Sequence, residues 1–174
     1  MKTRTLLHRC SLLIAIFVFG SSLQAQDRSQ RNSPPQQAMA SIMGHDVIIT
    51  YSSPSKNDRH IFGGLVPYGE VWRTGANEAT TLSIASDMKI EGYLIKAGKY
   101  GLFTIPGEES WEIIINEVWD QWGAYNYDAD KDVARFAAQV RSSDKVVEDF
   151  TIDVNDGGEV KMMWDQTIVT WQIE

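Results

Sequence analysis

AGKYGLFTIPGEESWEIIINEV, residues 97–118, reads as two β-strands and the turn between them. Ala97-Gly98 turns the chain into Lys99–Ile105. There Tyr100 and Leu102 fall on one face and Phe103 and Ile105 on the other, the two-residue period of a pleated strand. Pro106-Gly107 closes that strand. Trp111–Val118 is more continuously apolar, which suits a central strand covered on both faces.

The same period extends in both directions. On the N-terminal side, His45–Tyr51 sets Val47, Ile49 and Tyr51 on one face, and Ser52-Ser53-Pro54-Ser55 ends it, because proline cannot donate to a ladder. Thr80–Ala85 alternates, and Met88–Ile95 reads as a short hairpin around Glu91-Gly92. On the C-terminal side, Val133–Val140 fits either a strand or a helix, and its neighbours favour strand. Phe150, Ile152 and Val154 share a face. Asp156-Gly157 reads as a two-residue hairpin turn into Val160, Met162 and Trp164, and Asp165-Gln166 as a turn back into Val169, Trp171 and Ile173. About eight or nine short strands with no long helix predict an all-β fold, an antiparallel β-sandwich or jelly roll. Trp164 and Trp171 lie on apolar strand faces and are expected in its core.

The first residues have a different character. Lys2, Arg4 and Arg9 precede an apolar run, SLLIAIFVFG (residues 11–20), and Leu23-Gln24-Ala25 offers a cleavage site before Gln26. This is the layout of a secretory signal peptide over residues 1–25, with an apolar run too short to span a membrane stably. The expected location is therefore the periplasm or the exterior, with no transmembrane segment after cleavage. Cys10, the only cysteine, precedes the apolar core, where a lipid-bearing cysteine would not sit, so the mature chain has no thiol chemistry. Residues 26–40, QDRSQRNSPPQQAMA, lack apolar period and read as a flexible leader. Residues 41–174 remain for a single domain, enough chain for one core.

The whole chain carries a formal charge of −7, and losing Lys2, Arg4 and Arg9 leaves 13 basic against 23 acidic residues, or −10. Such a domain repels phosphate backbones, so nucleic acid is not an expected partner.

Between the second and third apolar stretches runs RHIFGGLVPYGEVWRTGANEATT, residues 59–81, too irregular for one helix or strand. Gly63-Gly64, Pro67, Gly69 and Gly75 provide turns. Arg59, Arg73, Asn77 and Glu78 gather a donor fork, a carboxamide and an acceptor, with Trp72 as a stacking face. These groups suit a carboxylate, a sugar or a peptide end. The competing reading is internal: Arg73 pairs with Glu78, Asn77 caps the turn, and the loop locks itself. A second irregular stretch supplies Trp119, Trp122, Tyr125 and Tyr127, with Trp122 and Tyr125 expected as a stacking wall for a saccharide or, alternatively, as a self-packed loop.

Catalytic and metal motifs are poorly represented. Asp128-x-Asp130-x-Asp132 begins like a calcium loop, but Val133 stands where the invariant glycine belongs and Gln139 where the bidentate glutamate belongs, so no metal and no cofactor is expected. No zinc-protease, serine-hydrolase or phosphate-binding-loop motif is present. The leading expectation is a non-catalytic exported domain that binds a small saccharide or an envelope component. The alternatives are a hydrolase of glycans or esters using Glu78 with Glu70 or a histidine, and an envelope scaffold.

Several blocks together resemble one family: Tyr51-Ser52-x-Pro54-Ser55, Ile61-Phe62-Gly63, Leu65-Val66-Pro67-Tyr68-Gly69-x-Val71-Trp72-Arg73-Thr74-Gly75-Ala76-Asn77-Glu78-Ala79-Thr80, Ala97-Gly98-x-Tyr100-x-Leu102-Phe103-Thr104-Ile105-Pro106-Gly107, and Trp122-Gly123-Ala124-Tyr125. The chain resembles the Domain of Unknown Function 2911 family of exported bacterial proteins over nearly all of residues 41–174. It departs at Asp58-Arg59, where that family often has Gly-Arg. The resemblance implies an exported β-rich domain and no particular activity.

Overall fold

The architecture follows from two-residue periodicity carried through almost every apolar stretch. The computed structural model describes residues 30–174. Nine strands are present among the described residues: β1 Pro35–Ile42, β2 His45–Ser52, β3 Thr81–Ile84, β4 Met88–Ile90, β5 Tyr93–Ile95, β6 Gly98–Ile105, β7 Ser110–Asn116, β8 Asp132–Val154 and β9 Glu159–Gln172. Seven form one antiparallel sheet in the order β1-β2-β3-β6-β7-β8-β9, and β4 and β5 form a hairpin beside it. The all-β expectation holds. No helix among the described residues is long and apolar enough to cross a membrane. The signal peptide expected over residues 1–25 lies outside the described residues.

The sheet curls so that its two halves face each other across one core. β8 makes the corner: residues 132–139 pair with β7, and residues 140–154 pair with β9. Past β2, the chain then bonds to the far part of β8. Phe150 donates its amide to the Pro54 carbonyl at 2.9 Å, Lys56 donates to Glu148 at 2.7 Å, and the Tyr51 hydroxyl accepts from the Ile152 amide at 3.1 Å. Between the halves Phe62, Trp72, Trp111, Phe150 and Trp164 meet edge-to-face or stacked, with ring centroids 4.7–6.1 Å apart. Trp164 and Trp171 are buried, as their strand faces predict. β7 is covered on both faces: Ile113 and Ile115 join the main core, and Ile114 joins a smaller cluster with Phe103 and Ala79. That is the physical origin of its unbroken apolar run.

Three details of the sequence reading are corrected, and one stretch it left unassigned is filled in. The leader over residues 26–40 is in part a strand: β1 begins at Pro35 and pairs with β2 through all eight of its residues. Proline is tolerated there because it opens an edge strand. Residues 141–149, polar and without period, do not separate two strands, because pairing to β9 and the bridge between Ser55 and Asp149 keep the backbone extended. Asp165-Gln166 does not reverse the chain. Asp165, at φ 52°, lies opposite Val147, where the ladder register shifts, so those polar residues mark a bulge within a continuous β9. Finally, the β8–β9 connection is longer than two residues: Asn155 bonds Glu159, and Gly158 takes the left-handed conformation at φ 87°. The Glu91-Gly92 hairpin forms as expected, with φ of 46° and 84°.

Gly158 is also pressed against the chain terminus. A Cβ there would run into the Ile173 carbonyl, and the Gly158 carbonyl accepts from the Ile173 amide at 2.9 Å. Gly158→Ala should therefore combine left-handed strain with a backbone clash and destabilise the fold by roughly 2–4 kcal/mol. Urea unfolding measures this, with Gly157→Ala, at an ordinary backbone angle, expected to cost far less.

Candidate ligand-binding cleft

Residues 53–80 connect β2 to β3 without regular structure, yet their backbone is bonded at many points. Trp72 exchanges both backbone bonds with Thr104 on β6, at 2.7 and 2.9 Å. Thr80 donates to the Arg73 carbonyl at 3.1 Å, and its hydroxyl donates to the Thr74 carbonyl at 2.7 Å. Asn77 and Ala79 are tied to the aromatic loop, the first by Gly123 donating to its carbonyl at 3.0 Å, the second by donating to Gln121 at 2.9 Å. Thr74 and Asn77 hold left-handed backbone angles, φ 54° and 58°. Non-glycine residues seldom adopt these unless their surroundings enforce them.

This loop bounds a cleft of about 570 Å³. Arg59, Glu70, Trp72, Arg73, Asn77 and Trp122 line it, together with Asn32 and Ser33 from the segment before β1. Five of the seven residues picked out in the sequence thus share one cavity. Their roles differ from those expected. Trp72 is only 8% exposed, donates its indole N–H to the Gly75 carbonyl at 3.1 Å, and stacks on Trp164 at 6.1 Å, so its ring is a core anchor with little face left for a ligand. Trp122, 55% exposed, is the aromatic surface on offer. Tyr125 is 84% exposed and does not line the cleft.

The proposed Arg73–Glu78 pair does not form. Glu78 instead accepts two bonds from Nη1 of Arg31, at 2.7 and 3.0 Å. Glu78 lines a second, smaller cavity of about 170 Å³ together with Arg31, Tyr51, Lys99, Trp119 and Gln121. The Arg31 guanidinium also sits 5.9 Å from the Trp122 ring centre, and Asn77 Nδ2 donates to the Ser33 carbonyl at 3.0 Å. Residues 31–33 are thereby strapped against the cleft. The sequence reading missed them, because a polar segment without apolar period gives no signal of where it docks.

Arg73 has no ion-pair partner among the described residues, and its Nε is buried without a hydrogen-bond acceptor. Burial lowers its pKa from the ordinary guanidinium value, partly opposed by Tyr125. Arg59 lines the cleft too. Its Nε and Nη2 are occupied by the Lys56 and Ser55 carbonyls, which leave its charge without a carboxylate among the described residues. Glu70 and Glu78 line different cavities. His45 and His60 are exposed and line neither of the two. Two of the three aspartates of the calcium-like sequence have local tasks: Asp128 caps the Asp130 amide at 3.0 Å, while Asp132 accepts from Tyr127 at 2.6 Å and Arg135 at 2.9 Å. Burial and the Asp132 bond push the Tyr127 hydroxyl up to about 12.

These features define an all-β domain with a cleft bounded by the loop between β2 and β3. The chain belongs to the family described as "Protein of unknown function (DUF2911)", whose profile matches residues 33–173. The match begins ahead of β1, within the strap. Comparison with curated proteins and with solved structures finds no match.

The energetics separate anchor from cleft. Trp72→Ala should cost about 3–5 kcal/mol, as for a large core aromatic. Arg31 and Glu78 are 23% and 38% exposed, so Glu78→Gln should cost no more than about 1 kcal/mol. Arg73→Gln should leave stability unchanged or slightly raised, since it removes an unpaired, half-buried cation. Chemical denaturation of the three variants distinguishes this order from a loop stabilised by Arg73.

Proposed function

We propose that this protein is an exported, non-catalytic binding domain that holds a small saccharide or other cell-envelope component in the cleft beside Trp122. The observation that carries this reading is one cleft of about 570 Å³ lined by both a half-exposed tryptophan and a half-buried arginine that has no ion-pair partner among the described residues. The volume lies in the range of small-ligand sites. A flat indole suits the C–H face of a sugar ring, and polar groups around it suit hydroxyls. The basic and apolar layout of residues 1–25 supports export.

The hydrolase alternative loses ground on geometry. A glycosidase needs two carboxyl groups facing each other across the bond to be cleaved. Here Glu78 is engaged by Arg31 and lines the smaller cavity, whereas Glu70 lines the larger one.

Tryptophan fluorescence titration against a broad glycan panel tests the binding reading. At least one saccharide should change the emission, and Trp122→Ala should remove that change and weaken binding about tenfold, with thermal stability retained. Silence across the panel would overturn it.

A further inference from the structure

We infer that the ligand of this cleft is an acidic saccharide, a sugar ring bearing a carboxylate, with the carboxylate received by Arg73 and the ring held against Trp122. The inference rests on the saccharide-binding reading and adds the ligand's charge and its anchor.

Charge inventory is the first support. Among the described residues the part-buried arginines Arg31 and Arg135 are each matched to carboxylates, at 2.7 Å to Glu78, and at 2.6 and 2.9 Å to Glu112 and Asp132. Arg73 is matched to none, in a chain with 23 acidic residues available. A half-buried cation left unpaired costs stability, so an acidic chain that retains one leaves a place for an anion from outside. Arg59 adds a second positive charge to the same wall, and among the described residues Glu70 is the only carboxylate that lines it.

Donor geometry is the second. Nε is enclosed, and neither Nη has a hydrogen-bond partner among the described residues, so the end of the guanidinium where two Nη–H groups run parallel is the edge left for the cleft. Two parallel donors match the two oxygens of a carboxylate. One such edge with Glu70 on the same wall suits a single negative charge better than a phosphate dianion.

Placement is the third. Trp72 is fixed in the core on one side of Arg73, and on the other Thr74 is buried in a left-handed conformation with its hydroxyl 3.2 Å from that of Thr104. The Arg73 backbone is thus positioned before any ligand arrives, which lowers the ordering cost of binding.

The test is calorimetric titration of the intact exported chain, and of Arg73→Gln and Arg73→Lys. The probes are glucuronate, galacturonate, N-acetylmuramate and N-acetylneuraminate, each beside its methyl ester, with glucose 6-phosphate as the phosphate control. At least one acid should bind about tenfold or more tightly than its ester. Arg73→Gln should abolish the preference, bringing that acid down to the variant's own affinity for its ester. Arg73→Lys should restore part of the preference at best. Equal binding of acids and esters by the native chain would overturn the inference and leave saccharide binding standing. A preference that survives Arg73→Gln would overturn the assignment to Arg73, and tighter binding of the phosphate would overturn the carboxylate. Failure of every acid and every ester to bind, together with a silent neutral panel, would remove both readings.

Discussion

The loop that makes the cleft depends on one side chain that does not belong to it energetically. Trp72 sits in the core between Trp111, Phe150 and Trp164, and its backbone pairs with Thr104 in both directions. Burying an aromatic of this size contributes several kcal/mol, far more than any exposed ion pair. A 28-residue irregular connection, residues 53–80, would otherwise lose much of its order to chain entropy. With Trp72 pinned, Arg73 and Asn77 are carried as passengers on fixed backbone, and neither has to hold the loop in place.

The curl of the sheet provides the second constraint. β8 leaves β7 and joins β9, and its bulges let one strand serve both halves. Because residues 53–56 bond to the far part of β8, the start of the cleft loop is fixed to one half while Trp72 is fixed to β6 in the other. The cleft lies where these two attachments diverge. Its lining draws on Ser55, Arg59, Arg73 and Trp164, residues far apart in sequence, and the fold alone brings them together.

Much of the fold was legible because strand periodicity is a local property. Lys99–Ile105 and Trp111–Val118 could be assigned from alternation and from an unbroken apolar run, and Glu91-Gly92 from the φ > 0 that its turn demands. The misreadings have a common cause. Residues 35–40 and 165–166 are mostly polar and read as leader and turn, and residues 141–149, also mostly polar, carry no strand signal. Backbone pairing with β2, β9 and β8 respectively keeps them extended, and such pairing leaves no mark on side-chain composition. The candidate residues were legible as a concentration of unusual types between Arg59 and Glu78. Their individual roles were not, because one residue's offset decides whether a side chain enters the core, as Trp72 does, or the cleft, as Arg73 does.

Partner choice among the charges shows why proximity in sequence misleads. Arg73 and Glu78 are five residues apart and look like a closing pair. The left-handed turns at Thr74 and Asn77 between them redirect the backbone, and the two side chains reach different cavities. Glu78 then meets Arg31, a residue 47 positions away, while Arg31 also lies over Trp122. Had Glu78 neutralised Arg73, the cleft would hold no guanidinium without a partner except Arg59, whose Nε and Nη2 already serve the Lys56 and Ser55 carbonyls. The strap thus supplies the cation for Glu78 at the smaller cavity, while Arg73 stays without an ion-pair partner among the described residues in the larger one.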